Sequence, residues 1–231
     1  MELSLERTSR LYGEEGVKKL NDSHVAVFGL GGVGCYAVEA LARAGIMELT
    51  VVDNDFYEQT NLNRQLYATV DTLGVKKTIA TKDRINKINP KIKVNVIDKL
   101  ILESNACEVD FSKFDYVIDA IDNVSGKIGI IIKCKEENVP VISVMGTGNK
   151  VDPTAFRVDD IKNTKVCPLA KVVRKLLKEK NVSGVKVVYS QEEPKKSGSN
   201  VPSSNSFVPA VAGLIASGKV INDLISGVKD E

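Results

Sequence analysis

Short apolar runs alternate with amphipathic stretches along the first two-thirds of the chain. That alternation predicts an α/β fold, a Rossmann-like sheet whose first half is parallel and carries helices on both faces. His24 to Leu30 is nearly continuous in apolar residues, as a strand buried on both sides must be. Glycines follow, then helical spacing from Val33 to Ala44. Glu48 to Val52 predicts a second strand ending at Asp53, and helical spacing over Asp71 to Asn89 is closed by Pro90. Lys93 to Ile97 and Asp115 to Ile118 predict further strands. Ser125 to Glu137 reads as a helix, and Val139 to Val144 as a strand running into Met145-Gly146-Thr147-Gly148.

Beyond Pro153 the pattern changes. Val166 to Lys180 is amphipathic, with Leu169, Val172, Val173, Leu176 and Leu177 on one face. Val185 to Tyr189 predicts a strand. Residues 191–206, rich in Ser, Lys, Pro and Asn, predict a flexible loop. Phe207 to Ile225 is apolar but interrupted by Lys219, Asn222 and Asp223, so it reads as a buried core helix and no membrane span is expected.

Composition narrows the class. The chain has 231 residues, 43% hydrophobic and 27% charged, which excludes a disordered, collagen-like or disulfide-stapled protein. A formal net charge of +2 argues against whole-chain electrostatic binding of nucleic acid but leaves a local basic face open. Cys35, Cys107, Cys134 and Cys167 are scattered and form no CxxC pair. With a charged start (Met-Glu-Leu-Ser-Leu-Glu-Arg) in place of a secretory signal, the thiols are expected to be reduced and the chain cytoplasmic.

Gly29-Leu-Gly31-Gly32-Val-Gly34 falls between a predicted strand and a predicted helix. There glycines let the backbone turn tightly and approach a phosphate, and the helix N-terminus offers free N–H groups and a positive dipole. Asp53 ends the next strand about twenty residues on, where a carboxylate can bind a ribose hydroxyl. Up to this point a dinucleotide dehydrogenase would read the same. Asn61-Leu-Asn63-Arg64-Gln65, Gly74-Val-Lys76-Lys77 and Asp119-Ala-Ile-Asp122-Asn123 then follow. A hydride-transfer site has no need of an arginine, a lysine and a carboxylate beside the glycine loop. A site attacking the α-phosphate of ATP does: Arg and Lys stabilise charge on the triphosphate, and a carboxylate holds Mg²⁺. Singly, Arg64 and Lys77 could be solvated loop charges and Asp122-Asn123 a helix cap. Their joint presence at the C-terminal ends of strands favours a site.

As a set, Gly29–Gly34, Asp53–Asp55, Asn61–Gln65, Lys77 and Asp119–Asn123 resemble the ubiquitin-activating-enzyme-like adenylating superfamily, the group of the thiamine and molybdopterin carrier-activating enzymes. The resemblance implies that superfamily's adenylation fold, ATP and Mg²⁺ as cofactors, and activation of a carboxylate as an acyl-adenylate. It also implies nucleotide contacts from Gly29, Gly31, Gly32, Gly34, Asp53, Asp55, Asn61, Arg64, Lys77 and Asp122. Of these, Arg64 and Lys77 would hold phosphates, Asp53 the ribose and Asp122 the metal.

Four more segments resemble the superfamily branch that dehydrates threonylcarbamoyladenosine at position 37 of tRNA. They are Arg7-Thr-Ser-Arg10-Leu-Tyr-Gly13, Gly146-Thr-Gly148-Asn-Lys-Val-Asp152-Pro153-Thr154, Val166-Cys167-Pro168-Leu169-Ala170 and Ser206-Phe207-Val208-Pro209-Ala-Val-Ala-Gly213. The resemblance implies a homodimer in which an N-terminal arginine completes the other subunit's triphosphate site; Arg7 matches that position best, Arg10 next. It also implies cyclisation by attack within the substrate, for which proximity supplies most of the help and no enzyme nucleophile is required. The alternative is an adenylyltransferase activating the C-terminus of a ubiquitin-like sulfur carrier; under either reading a sulfur-transfer protein is a further candidate partner. A third reading, a non-catalytic nucleotide binder, is disfavoured by intact Arg64, Lys77 and Asp122. The two CxxC pairs frequent in carrier-activating relatives are absent, so structural zinc is not expected. Cys167 could form a thioester, but with no basic neighbour in sequence it reads better as a small buried hydrophobe.

The expected organisation is a single domain over 1–231, with a nucleotide-binding half of about 1–150 and a substrate-binding half of about 151–231. Charge is uneven between them: from Lys162 to Lys196 nine lysines and one arginine face three glutamates, a net +7. A solvated helix face and an RNA-docking face both account for it. The family resemblance favours tRNA as partner, with the anticodon-loop base splayed out for recognition.

Overall fold

A computed structural model describes residues 3–196, 198 and 201–227. One seven-stranded sheet runs through both halves in the order β3-β2-β1-β4-β5-β7-β6. The strands are β1 (His24–Phe28), β2 (Glu48–Val52), β3 (Lys93–Ile97), β4 (Tyr116–Asp119), β5 (Val141–Val144), β6 (Phe156–Asp160) and β7 (Lys186–Ser190). All neighbours are parallel except β6, which pairs antiparallel to β7 with Phe156 opposite Ser190. The helices are α1 (Glu6–Asn21), α2 (Gly34–Ala44), α3 (Lys77–Ile88), α4 (Val124–Glu136), α5 (Pro168–Glu179) and α6 (Val208–Ser226).

Side-chain alternation along β1 shows why both faces are covered. Val25 and Val27 join a core built with α2 and α6, whereas Ala26 and Phe28 join one built with α4, Phe111 and Phe114. α6 by length and composition could cross a membrane, but 56% of its apolar window is buried inside the protein, as befits a core helix. It presses on α2 so closely that a Cβ on Gly213 would lie 2.2 Å from the Val33 carbonyl oxygen.

Several expected boundaries move for local reasons. β1 stops at Phe28 because Gly29, at φ +87°, turns the chain out of the sheet. The stretch from Asp71 does not start a helix: a 3-10 turn at Val70–Thr72 and Gly74 at φ +78° hold it off, and α3 begins at Lys77. α1, kinked at Gly13, and β6 have no counterpart in the pattern-based reading. Within 191–206, residues 197, 199 and 200 lie outside the described residues. The remainder forms no helix or strand.

Candidate active site

The strand ends that follow β1 to β5 open onto one cleft of about 820 Å³. Along the sheet, its floor carries Lys99–Ile101 after β3, Asp53–Asp55 after β2, Gly29, Gly31 and Gly32 after β1, Asp122 after β4 and Gly146–Lys150 after β5. Cys167–Leu169 and Val201–Ser204 form the wall on the β5 side.

The glycine loop fits because nothing larger would. A Cβ on Gly34, the first residue of α2, would stand 1.7 Å from the Gly29 carbonyl oxygen, and one on Gly29 would stand 2.8 Å from that of Ala120. Asp53 fastens the loop: Oδ2 accepts the Leu30 N–H at 2.6 Å and Oδ1 the Asp55 N–H at 2.8 Å. Each carboxylate oxygen has a second lone pair, so Asp53 can still accept a hydroxyl from the cleft.

Arg64 is half-buried over the loop, its Cγ 3.4 Å from where a Gly32 Cβ would sit. Its guanidinium donates to the Thr60 carbonyl at 2.8 Å and to Asn63 Oδ1 at 3.0 Å. Asn61 sets that segment, accepting the Glu58 N–H on its side chain and the Arg64 and Gln65 N–H groups on its carbonyl. Gln65 was not among the expected site residues, yet it is buried in the cleft lining. Its Oε1 has no partner among the described residues. Lys77 opens α3 with its ammonium 2.9 Å from Asp55 Oδ2, so these two expected site residues are paired with each other.

After β4, Asn123 caps α4 by accepting the Gly126 N–H at 3.0 Å, while Asp122 is exposed in the cleft. The turn bearing Asp122 is fixed from below. Asp119 Oδ1 accepts the Ile121 N–H, and its Oδ2 meets Lys127 Nζ at 3.0 Å and the Ser143 hydroxyl at 2.5 Å, all three side chains fully buried. A pair buried this way is tolerated only when its remaining donors are satisfied, and Lys127 does so by donating to the Val144 carbonyl and Ser143.

On the β5 side, Asn149 takes a left-handed turn, φ +59°, and is clasped by the far loop. Its N–H donates to the Ser203 carbonyl and its Oδ1 accepts the Ser203 N–H. Asn63 Nδ2 donates to the Ser204 carbonyl, and Asn205 Nδ2 to the Lys150 carbonyl, so both banks of the cleft are tied together. Cys167 is buried in this wall, in the same cleft as Lys150. Lys150 is a cleft residue that sequence reasoning missed, because its burial depends on the fold. Arg7 is exposed on α1 and does not line the cleft of its own chain.

The donor set suits Mg²⁺ arriving on a nucleotide, which needs one or two carboxylates beside phosphate oxygens. Asp122 supplies one. Among the described residues, no three metal-binding side chains cluster into a cage. The arrangement combines a glycine-lined backbone turn, the cations Arg64 and Lys77 beside it and the exposed carboxylate of Asp122, equipment suited to charge stabilisation during phosphoryl or nucleotidyl transfer.

The profile of the ThiF family matches residues 4–228. A tRNA threonylcarbamoyladenosine dehydratase of Bacillus subtilis is 42% identical over 96% of this chain and 95% of its own length. The Escherichia coli enzyme of that name is 39% identical over 80% of this chain and 72% of its own. A crystal structure of the Escherichia coli tRNA N6-threonylcarbamoyladenosine dehydratase in complex with ATP superposes with a TM-score of 0.91, at 34% identity over 97% of this chain and 94% of that one.

Proposed function

The chain belongs to the ThiF family, and on that premise we propose that it is an ATP-dependent tRNA threonylcarbamoyladenosine dehydratase. It activates the carboxylate of the threonylcarbamoyl group on adenosine 37 as an acyl-adenylate. That step releases pyrophosphate; a nucleophile within the same group then attacks the activated carbonyl, gives up its proton and displaces AMP, closing a ring so that the substrate has lost the elements of water. The observation that carries this reading is one continuous cleft. It carries the glycine loop and Asp53 at its β1 and β2 ends and continues past Asp122 to Gly146–Lys150 beyond β5, a length that would accommodate a second substrate beside a nucleotide.

In this reading Asp53 takes the ribose, and Gly31, Gly32 and the α2 N-terminus donate N–H groups to phosphate. Gly29 and Gly34 make room for that approach. Arg64 and Lys77 stabilise charge that grows on the triphosphate as the α-phosphorus is attacked, Lys77 leaving Asp55 to do so. Asn61 holds Arg64 in place. Asp122 would hold Mg²⁺, which would supply positive charge to offset that of the phosphates. No enzyme nucleophile is needed, because the attacking atom is already on the substrate.

The full reading has one domain over 1–231, working in the cytoplasm as a homodimer, with Arg7 reaching the triphosphate of the other subunit. The basic segment from Lys162 to Lys196 docks the tRNA. The reading also admits a sulfur-transfer protein as partner.

Incubation with ATP and tRNA carrying threonylcarbamoyladenosine tests the reading. AMP should appear with a nucleoside lighter by one water, and unmodified tRNA should give neither. AMP formation driven by a ubiquitin-like carrier tail, with modified tRNA inert, would replace it with carrier activation.

A further inference from the structure

Lys150 is a charged side chain 3% exposed at the β5 end of the cleft. Its ammonium donates to the backbone carbonyl of Glu192 at 2.7 Å, and among the described residues it forms no ion pair. The Glu192 carboxylate is occupied elsewhere, accepting the N–H groups of Val151 and Asp152. Burial without a counter-ion lowers the Lys150 pKa, with Cys167 and Glu192 opposing in part. A desolvated ammonium in the lining of a cleft, held by one backbone carbonyl, is suited to pairing with an anion.

Position along the sheet identifies which anion. In the dehydratase reading the ribose partner Asp53 follows β2, the glycine loop that would take the phosphates follows β1, and Asp122 follows β4. Lys150 follows β5, two strands beyond the glycine loop, or about 10 Å at the usual spacing. The phosphates already have Arg64 and Lys77 on their own bank. What must lie beyond the α-phosphate, in line with it, is the carboxylate to be activated. We infer that Lys150 anchors the substrate carboxylate, holding one oxygen so that the other faces the α-phosphorus. This rests on the dehydratase reading. In the step it serves, the free carboxylate oxygen forms a bond to the α-phosphorus and the bond to pyrophosphate breaks, while the Lys150 proton stays on Nζ.

The backbone supports that placement. Asn205 holds the Lys150 carbonyl, and Asn149, in its left-handed turn, is clasped by Ser203, so the lysine is set from both sides. Binding a carboxylate would give the ammonium the ion pair the fold withholds.

Lys150→Met, with Lys150→Arg as the charge-keeping control, tests this on the full-length protein. Three quantities are read: ATP affinity by calorimetry, affinity for modified and unmodified tRNA without ATP, and steady-state turnover. In the Met variant ATP affinity should stay within about twofold of wild type. KM for modified tRNA should rise about tenfold to a hundredfold with kcat little changed, as for a charge-assisted contact made equally before and during the reaction. The wild-type preference for modified over unmodified tRNA should collapse, and Arg should restore part of it. Unchanged ATP affinity also certifies the fold. A preserved preference in the Met variant overturns the assignment, and so does a loss of ATP affinity in a variant that melts like wild type, since Lys150 would then serve the phosphates. Wild type that ignores modified tRNA refutes the dehydratase reading first, and the anchor with it.

Discussion

Lys77 Nζ lies 2.9 Å from Asp55 Oδ2, yet the two side chains live in different surroundings: 7% of the lysine is exposed against 59% of the aspartate. Losing the lysine would leave a carboxylate that water can solvate, so the pair contributes about 1 kcal/mol or less to stability. At a triphosphate, the same ammonium faces developing charge and is worth about a hundredfold in rate. Lys77→Met should therefore melt within a few degrees of wild type while ATP-dependent turnover falls about a hundredfold. Wild-type turnover in the variant would mark Lys77 as a structural partner of Asp55 alone.

Gly34 and Gly218 are both helical glycines with opposite prospects. A Cβ at Gly34 would collide with the Gly29 carbonyl, and the main chain on both sides must shift to admit it. Overpacking of this kind costs about 1–3 kcal/mol, and here the displaced atoms are the phosphate cradle. Gly34→Ala should abolish measurable ATP binding. Gly218, in α6, has nothing within 4 Å of the added atom, so Gly218→Ala should stabilise by about 0.5–1 kcal/mol. Melting curves and ATP titrations of the two variants give the comparison.

Which parts of this fold could be read from sequence follows from how each residue is held. The buried strands β1, β2, β4, β5 and β7 advertise themselves, because burial on both faces demands runs such as Val-Ala-Val-Phe. β6 does not: at the sheet edge only Phe156 is buried, and Arg157, Asp159 and Asp160 erase the apolar signal. α1 carries few buried positions and a glycine kink, so its period is weak. In the site, the glycine loop, Arg64 and Lys77 were legible because their chemistry is tied to short local spacing. Lys150 and the Asp119–Lys127–Ser143 cluster were not, since their meaning lies in burial and in partners distant along the chain.

His24 is the only histidine, so it controls a clean pH window. Its Nε2 meets Thr50 Oγ1 at 2.8 Å and its ring edge packs on Phe114, and burial lowers its pKa despite nearby Glu48. The unfolded chain therefore takes up the proton first as pH falls. The resulting stability is fully present above about 6.5 and declines as pH drops from there toward the lower folded value. Glu39 and Asp223, whose pKa values are lowered against the effect of burial by Arg84 and Arg43 and by Lys219 and Lys186, lose their contributions as pH falls from the ordinary carboxylate value toward their lowered ones. Melting temperature should fall between pH 7 and 5 in wild type and stay flatter in His24→Gln. Equal slopes in the two proteins would assign the decline to other groups.

The basic helix α5 does not present all its charges alike. Arg174 is turned inward, donating to the Thr164 carbonyl at 2.8 Å and to its hydroxyl at 2.6 Å, whereas Lys171, Lys175 and Lys178 are exposed. Reversing the three lysines to Glu should weaken tRNA binding strongly, flatten its salt dependence and spare ATP affinity. Arg174→Glu should lower the melting temperature instead. Normal tRNA binding by the triple variant would move the docking face elsewhere.

Arg7 stands exposed on α1, outside the cleft of its own chain, whereas Asp122 lies within it. A role for Arg7 at a triphosphate therefore requires a second copy of the chain, and that requirement can be tested by complementation. Arg7→Ala and Asp122→Ala should each be nearly inactive alone. In a hybrid dimer, the Arg7→Ala chain keeps its own Asp122 and receives Arg7 from its partner, which restores one site, while the other site carries both defects. Random mixing of two-fold dimers makes half of them hybrids, each with one working site of two, so activity should recover to about a quarter of wild type. An arginine acting within its own chain gives no recovery in any mixture. Mixing therefore separates a trans-acting Arg7 from one that only supports the fold: the structural role predicts a lowered melting temperature and no complementation, the catalytic role complementation at an unchanged melting temperature.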